Sequence, residues 1–255
     1  MMRMKKTTEQ VPYPAAERET TLEERKQLIR DALERGLEND DQEIVAFHGT
    51  SLETLHEVLR TGRFVGTTQN DTAHKIDGKS VPVFSVFALN SPTAREASHV
   101  DDEDFEMHLV KEARDYATTI AERHAFLREL GIPISERYNL LDLNDICFGR
   151  GDNCILDEDM CDEFIEKAGT RVPGVTLTKD QIRAAIIRAH TRKGVTLGFK
   201  KALFQDFPVY QVGKETNDES YEAVIHCPEG IPLSYLIGVD PYTKEELQEL
   251  EKAVE

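Results

Sequence analysis

The middle of the chain reads as helix and its last third as strand. No other feature constrains the fold as much. In residues 105–130, Phe105, Leu109, Ala113, Tyr116, Ala117, Ile120 and Ala121 recur at three- and four-residue steps, the period of one helix face. Gly131-Ile132-Pro133 stops that helix. Two further helices are expected over residues 160–167 and 179–190, the second capped by Thr178. Residues 194–199, 208–212, 221–226 and 233–239 then form four β-rich runs with turn residues between them, and residues 243–254 close the chain as a helix. Helices grouped before strands point to an α+β architecture, not an alternating parallel sheet.

The first third carries one more organising stretch. Residues 44–47 are an apolar run too short for anything but a strand. It meets His48-Gly49-Thr50 and becomes helical, with Thr50 and Glu53 at capping-box spacing. Leu52, Leu55, Val58 and Leu59 share one face, and Gly62 stands where a helix stops. A His-Gly pair on such a corner turns a side chain and backbone groups toward one cleft. Gly49, lacking a Cβ, would let a planar ligand lie against its backbone. Upstream, residues 1–16 read as a loose tail and residues 20–36 as a helix. Thr20 or Thr21 caps that helix, Gly36 ends it, and its stripe is Leu22, Leu28, Ile29, Ala32 and Leu33. Asn39-Asp40-Asp41 is a turn. Downstream, the stretch from Phe64 to Asn70 begins as a short strand and leads to a polar loop through Asp77-Gly78. Residues 81–89 are a strand, residues 90–93 a turn, and residues 94–98 one or two helical turns. Asp101 to Asp104 suit the positive end of the long helix. Residues 135–159 have no assignable pattern.

Composition narrows the functional classes. The 255 residues are 39% hydrophobic and 31% charged, an ordinary balance for a chain with a real core. No apolar run approaches the roughly 20 residues that span a bilayer, and the basic, polar first ten residues are not followed by the apolar stretch of a secretory signal peptide. Asp and Glu total 48 against 31 Lys and Arg, a net charge of −17. Such a chain repels phosphate backbones, so a small ligand or a protein target is expected, not nucleic acid or membrane. Cys147, Cys154, Cys161 and Cys227 lack Cys-x-x-Cys zinc spacing and read as reduced, mostly buried thiols. Asp142, Asn144, Asp145, Asp152 and Asn153 do not have EF-hand spacing, so no metal site is expected. Arg150-Gly151-Asp152 reads as a turn.

The strand, His48-Gly49-Thr50, helix, Gly62 order resembles the first motif of the ADP-ribosyltransferase fold, in the His-Tyr-Glu branch shared by diphtheria-type toxins and poly(ADP-ribose) polymerases. Residues 221–239 resemble that family's final strand pair. Matching Pro228, Ile231 and Tyr235-Leu236 puts Glu222 on the catalytic Glu. Residues 214–220 then resemble the loop with which the family meets its target. Glu219 lies three residues before Glu222, so the Glu-x-Glu pair of the arginine-modifying branch is absent. For the middle motif, Ser85-Val86-Phe87 resembles the aromatic-bearing strand, with Phe87 where Tyr is common. Ala94, Ala97 and Ser98 would then lie on the next helix. Alternatively, Ala113-Arg114-Asp115-Tyr116-Ala117 resembles the Ala-x-x-Tyr-Ala helix of many members, with Tyr116 as the stacking ring.

The resemblance covers mainly residues 43–100 and 194–240. It implies a split β-sheet domain over residues 43–255, preceded by a tail and helix (residues 1–42) and carrying a helical insertion at about residues 101–192. It implies NAD as substrate, gripped by His48, Gly49 and Thr50 with Ser85, Phe87 and Tyr116. Glu222, His48 and Tyr116 would be catalytic, and ADP-ribose would pass to a protein target with release of nicotinamide. Hydrolysis of NAD by water and a non-catalytic binding module are the alternatives, the second motivated by Phe87. RNA 2'-phosphate transfer on this fold would need a basic groove. A cytoplasmic protein or an effector delivered into a host cell fits the composition. The target and the oligomeric state are open.

Overall fold

The structure is a computed structural model that describes residues 20–38, 43–66, 75–76, 79–80, 82–88, 102–134, 158–211 and 222–255. The expected turns at residues 39–41 and 90–93, the helical turns at residues 94–98 and the unpatterned residues 135–157 lie outside the described residues. So do the loop at residues 214–220, Cys147 and Cys154.

Helix α1 (Leu22–Arg35) starts at Thr21 in a complete capping box with Glu24. It buries Ile29 and Ala32 but leaves Leu22 exposed, so its apolar stripe is shorter than the sequence pattern. Strand β1 (Ile44–Thr50) leads into α2 (Leu52–Thr61). The helix cap falls on Ser51, whose side chain accepts from the Thr54 amide, not on Thr50. Thr50 is still held in a ladder opposite Val195, so the first free residue takes the cap, and Ser serves as well as Thr. Gly62 ends α2 in the left-handed region at φ 79°, and Arg25 of α1 donates to the Leu59 and Arg60 carbonyls there.

After β2 (Arg63–Phe64), the polar loop contains a small hairpin, β3 (Lys75–Ile76) and β4 (Lys79–Ser80). Asp77-Gly78 between them is a hairpin signal that the sequence reading passed over. Strand β5 (Val83–Ala88) precedes the long helix α3 (Asp102–Glu129), then α4 (Glu158–Arg171) and α5 (Lys179–Ala189). The C-terminal part holds β6 (Val195–Lys200), a short helix α6 (Ala202–Asp206), β7 (Val209–Gln211), β8 (Glu222–His226) and β9 (Ile231–Pro232). It ends with β10 (Leu236–Pro241) and α7 (Lys244–Val254). The expected strand at residues 233–239 is part 3-10 turn: Leu233–Tyr235 coil before β10 begins. The Tyr235 hydroxyl donates to Asp206 at 2.7 Å and ties that turn down.

The architecture is α+β. Six strands form an antiparallel sheet in the order β10-β6-β1-β5-β8-β7. Helices α1, α2 and α7 cover one face, where Ile29, Leu55, Val58, Phe199, Ile225 and Leu250 belong to one apolar cluster. On the other face α3 packs Phe105, Leu109 and Ala113 against Phe47 and Ile44. Strand β1 is therefore enclosed on both faces, which explains its continuous apolar run. A third cluster joins the distal part of α3 to α4 and α5 through Phe126, Leu127, Phe164 and Ile182. Among the described residues no helix is long and apolar enough to cross a membrane.

One buried carboxylate fastens the two ends of the strand-rich third. Glu246, 2% exposed, completes a capping box with Thr243 at the start of α7. Its other oxygen accepts from the backbone amides of Lys193 and Gly194, at 2.7 and 2.6 Å, where β6 begins. Glu246→Ala strips two backbone amides, Gly194's buried and Lys193's partly buried, of their acceptor, at roughly 1–3 kcal/mol each. For a chain of this size the melting temperature is expected to fall by about 5–15 °C, measured by thermal unfolding. An unchanged midpoint would exclude the fastening role.

Candidate functional site

The site is set by where the sheet stops being continuous. Strands β1 and β5 pair only at Ala46–Ala88 and Phe47–Phe87. Beyond that point β1 continues along β6 to Thr50, while β5 continues along β8 from Phe87–Glu222 to Val83–His226. The two arms thus lose their shared ladder at His48. In an antiparallel strand, successive residues direct their N–H and C=O to alternate sides. Residues 48–50 therefore include at least one whose paired donor and acceptor face the opening.

The His48 ring spans this gap. Its Nδ1 lies 2.8 Å from the Ser85 carbonyl oxygen, replacing the missing ladder bond. It stacks at a 37° tilt on Phe84, with centroids 4.3 Å apart, and stands 6.2 Å from Tyr116. Part of its surface reaches solvent, but the ring is densely surrounded. Burial pushes its pKa down to about 4, against the smaller opposing effect of the Ser85 bond. The neutral ring has one N–H, and a carbonyl can only accept, so Nδ1 carries the proton and Nε2 is left as an acceptor. Between about pH 6.5 and 4 the unfolded chain binds more protons than the folded one at this group, so acidification through that window removes stability. An NMR titration of the His48 Cε1 proton is expected to show a midpoint near pH 4. A midpoint near 6.5 would mean an open, solvated ring.

Phe87 and Tyr116, alternatives in the sequence, stand together. Their rings are 6.3 Å apart at 71°, edge to face. Tyr116 is 43% exposed and so is not a core residue of its helix. Phe87 is opposite Phe47 on one side and Glu222 on the other. With strands about 4.8 Å apart, the backbones of β1 and β8 are separated by roughly 10 Å at this level. His48, Ser85, Phe87 and Tyr116 are therefore gathered at one place, and the backbone of Glu222 borders it. Thr50 is buried at the end of β1.

The face of Gly49 where a Cβ would stand belongs to α3. A Cβ built there would collide with the Ala113 carbonyl oxygen and come within 2.5 Å of the Ala117 amide nitrogen. At Gly194, φ 78°, a built Cβ would likewise come within 2.7 Å of the Ala117 carbonyl oxygen. Small residues at these points let the α3 backbone sit directly on β1 and β6, which sets the place of Tyr116. The rim of α3 is also tied down by Arg114, which pairs with Asp240 of β10 at 2.5 Å.

Two long-range pairs, one of them buried, were not foreseen. Ser51 Oγ is 2.6 Å from His124 Nδ1, and both residues are almost fully buried. Glu53, expected to close a capping box, pairs instead with Arg128 at 2.8 Å. Neither pair has a local signature, since its partners are far apart in the chain. Among the described residues a cavity of about 460 Å³ lies at the start of α7, lined by Arg192, Thr243 and Glu246 among others. None of the sequence-predicted site residues lines it. No group of three or more His, Cys, Asp or Glu among the described residues could hold a metal ion. Cys161 and Cys227 are buried, and burial pushes the Cys227 thiol up to about 12 despite a bond from Gly66. It is therefore protonated and unreactive at neutral pH.

Comparison with protein-family models, with curated proteins and with solved structures finds no significant match to this chain.

Proposed function

We propose that this chain is an NAD-dependent ADP-ribosyltransferase with a split β-sheet of that fold, acting on a protein target. The observation that carries the reading is strand adjacency. The strands bearing His48, Phe87 and Glu222 are consecutive in the sheet, with Phe87 in register between Phe47 and Glu222. These are the strands that the resemblance assigns to nucleotide grip, stacking ring and catalytic carboxylate. The opening between β1 and β5 supports it further. A strand residue that turns its donor and acceptor together toward that opening matches the two hydrogen-bonding groups of a primary carboxamide, such as that of nicotinamide.

In this reading the nicotinamide ring enters beside Phe87 and Tyr116. Tyr116 has the exposure to swing aside and then cover it. Neutral His48 offers Nε2 to a ribose hydroxyl. The bond from ribose C1' to the pyridinium nitrogen breaks, and nicotinamide leaves with the electron pair. Glu222 accepts a hydrogen bond from the ribose 2'-hydroxyl and stabilises the oxocarbenium-like centre. A nucleophile on the target then bonds to C1' and gives up its proton to Glu222 or to solvent. Incubation with labelled NAD in a cell lysate, followed by mass spectrometry, is expected to yield labelled protein and free nicotinamide in equal amounts. Nicotinamide without labelled protein would make water the acceptor and the enzyme an NAD glycohydrolase. No NAD binding by calorimetry would leave a binding module and overturn the proposal.

A further inference from the structure

We propose that His124 is a positioning residue that fixes the His48–Gly49 corner against α3 by holding Ser51. Its kinetic consequence rests on the NAD reading above; its structural consequence does not. Where β1 leaves β5, no ladder holds His48 to the facing arm, and the ring reaches across on a single bond to the Ser85 carbonyl. Its aim then depends on what secures the corner from behind. Helix α3 does this at three successive levels. Its backbone at Ala113 and Ala117 meets Gly49, His124 meets Ser51 at 2.6 Å, and Arg128 meets Glu53 at 2.8 Å. His124 and Arg128 are four residues apart, on one face of the helix.

The middle contact is the informative one. Ser51 is 0% and His124 3% exposed. A buried polar pair costs free energy to desolvate unless its bond is made, and two apolar side chains would hold the layers together as well. What a directional bond adds is a fixed distance and angle. Ser51 Oγ also receives the Thr54 amide at 3.3 Å, so one oxygen sets both the start of α2 and its spacing from α3. The helical elements beyond residue 124 pack on the same helix, which makes this bond the joint between them and the corner.

The test uses the full chain with His124→Ala, His124→Asn, Ser51→Ala and the Ser51→Ala/His124→Ala double variant. Hydrogen exchange of residues 44–61 is read against residues 223–226 of β8, which do not pair with β1, as internal reference. His124→Ala is expected to speed exchange at residues 44–61 about tenfold relative to the reference. It is also expected to raise KM for NAD about tenfold with kcat within twofold, because the corner grips substrate and does not bear the reacting carboxylate. Asn places a polar atom near the position of Nδ1, so His124→Asn is expected to restore both readouts. The double variant is expected to be no worse than either single one. A lower melting temperature with relative exchange and KM unchanged would overturn the proposal, leaving an ordinary buried bond. Failure of Asn to restore either readout would do the same. Should His124→Ala not fold, Ser51→Ala and His124→Asn carry the comparison. A wild-type protein without NAD turnover would overturn the proposed function, and the exchange measurement would still decide the joint.

Discussion

Glu222→Gln is expected to lower NAD turnover by about a hundredfold or more while leaving the melting temperature unchanged. The substitution keeps the shape and removes the negative charge. If Glu222 faces the oxocarbenium-like ribose, the attraction between its charge and the ribose is stronger in the transition state than in the ground state, the condition for lowering the barrier. Loss of one preorganised electrostatic group of this kind typically costs about 10²–10³ in kcat. Nicotinamide release under saturating NAD is the measurement. Turnover within a few-fold of wild type would remove Glu222 from the mechanism. The position in the sheet makes the test sharp, because Glu222 opens β8 directly opposite Phe87, so a spectator role and a catalytic one predict different outcomes.

Gly49→Ala is expected to be the most destabilising single substitution at the corner. The added methyl would meet the backbone of α3 at Ala113 and Ala117, and backbone cannot rotate away as a side chain can. Overpacking of this kind costs about 3 kcal/mol or more, a fall of roughly 6–12 °C for a chain of this length. Gly169→Ala is the control. Gly169 lies within α4, and a Cβ there meets only the Val175 carbonyl oxygen at an ordinary 3.6 Å, so no loss is expected, Ala being the better helix former. Equal losses in the two variants, followed by thermal unfolding, would mean that α3 moves freely off the sheet.

Local chemistry was legible in the sequence; contacts between distant segments were not. The Thr178 cap, the Gly62 stop, the closing helix, the long helix over Ala113 to Ala121 and the separation of helix from strand all follow from short-range patterns. Each is present. So are the strands carrying His48, Phe87 and Glu222. The cap moved by one residue, from Thr50 to Ser51, because a sheet ladder outlasted the local preference. Residues 233–235 coil where β-formers suggested a strand, since Tyr235 is drawn to Asp206. Gly49 drew attention for its bare backbone, but what fills its Cβ space is a helix from beyond the next strand. The Ser51–His124 bond joins residues 73 apart, and no periodicity announces such a pair. Phe87 and Tyr116 looked like rivals for one role, because sequence distance hides that they touch.

Helix α3 contributes to two apolar clusters, Leu109 and Ala113 to one and Phe126 and Leu127 to the other. A beam shared in this way cannot be cut without exposing both interiors. Helices α4 and α5 are thus tied to the sheet through one shared helix. A change in how α4 and α5 sit would be passed along a helix that runs beside the imidazole at Tyr116.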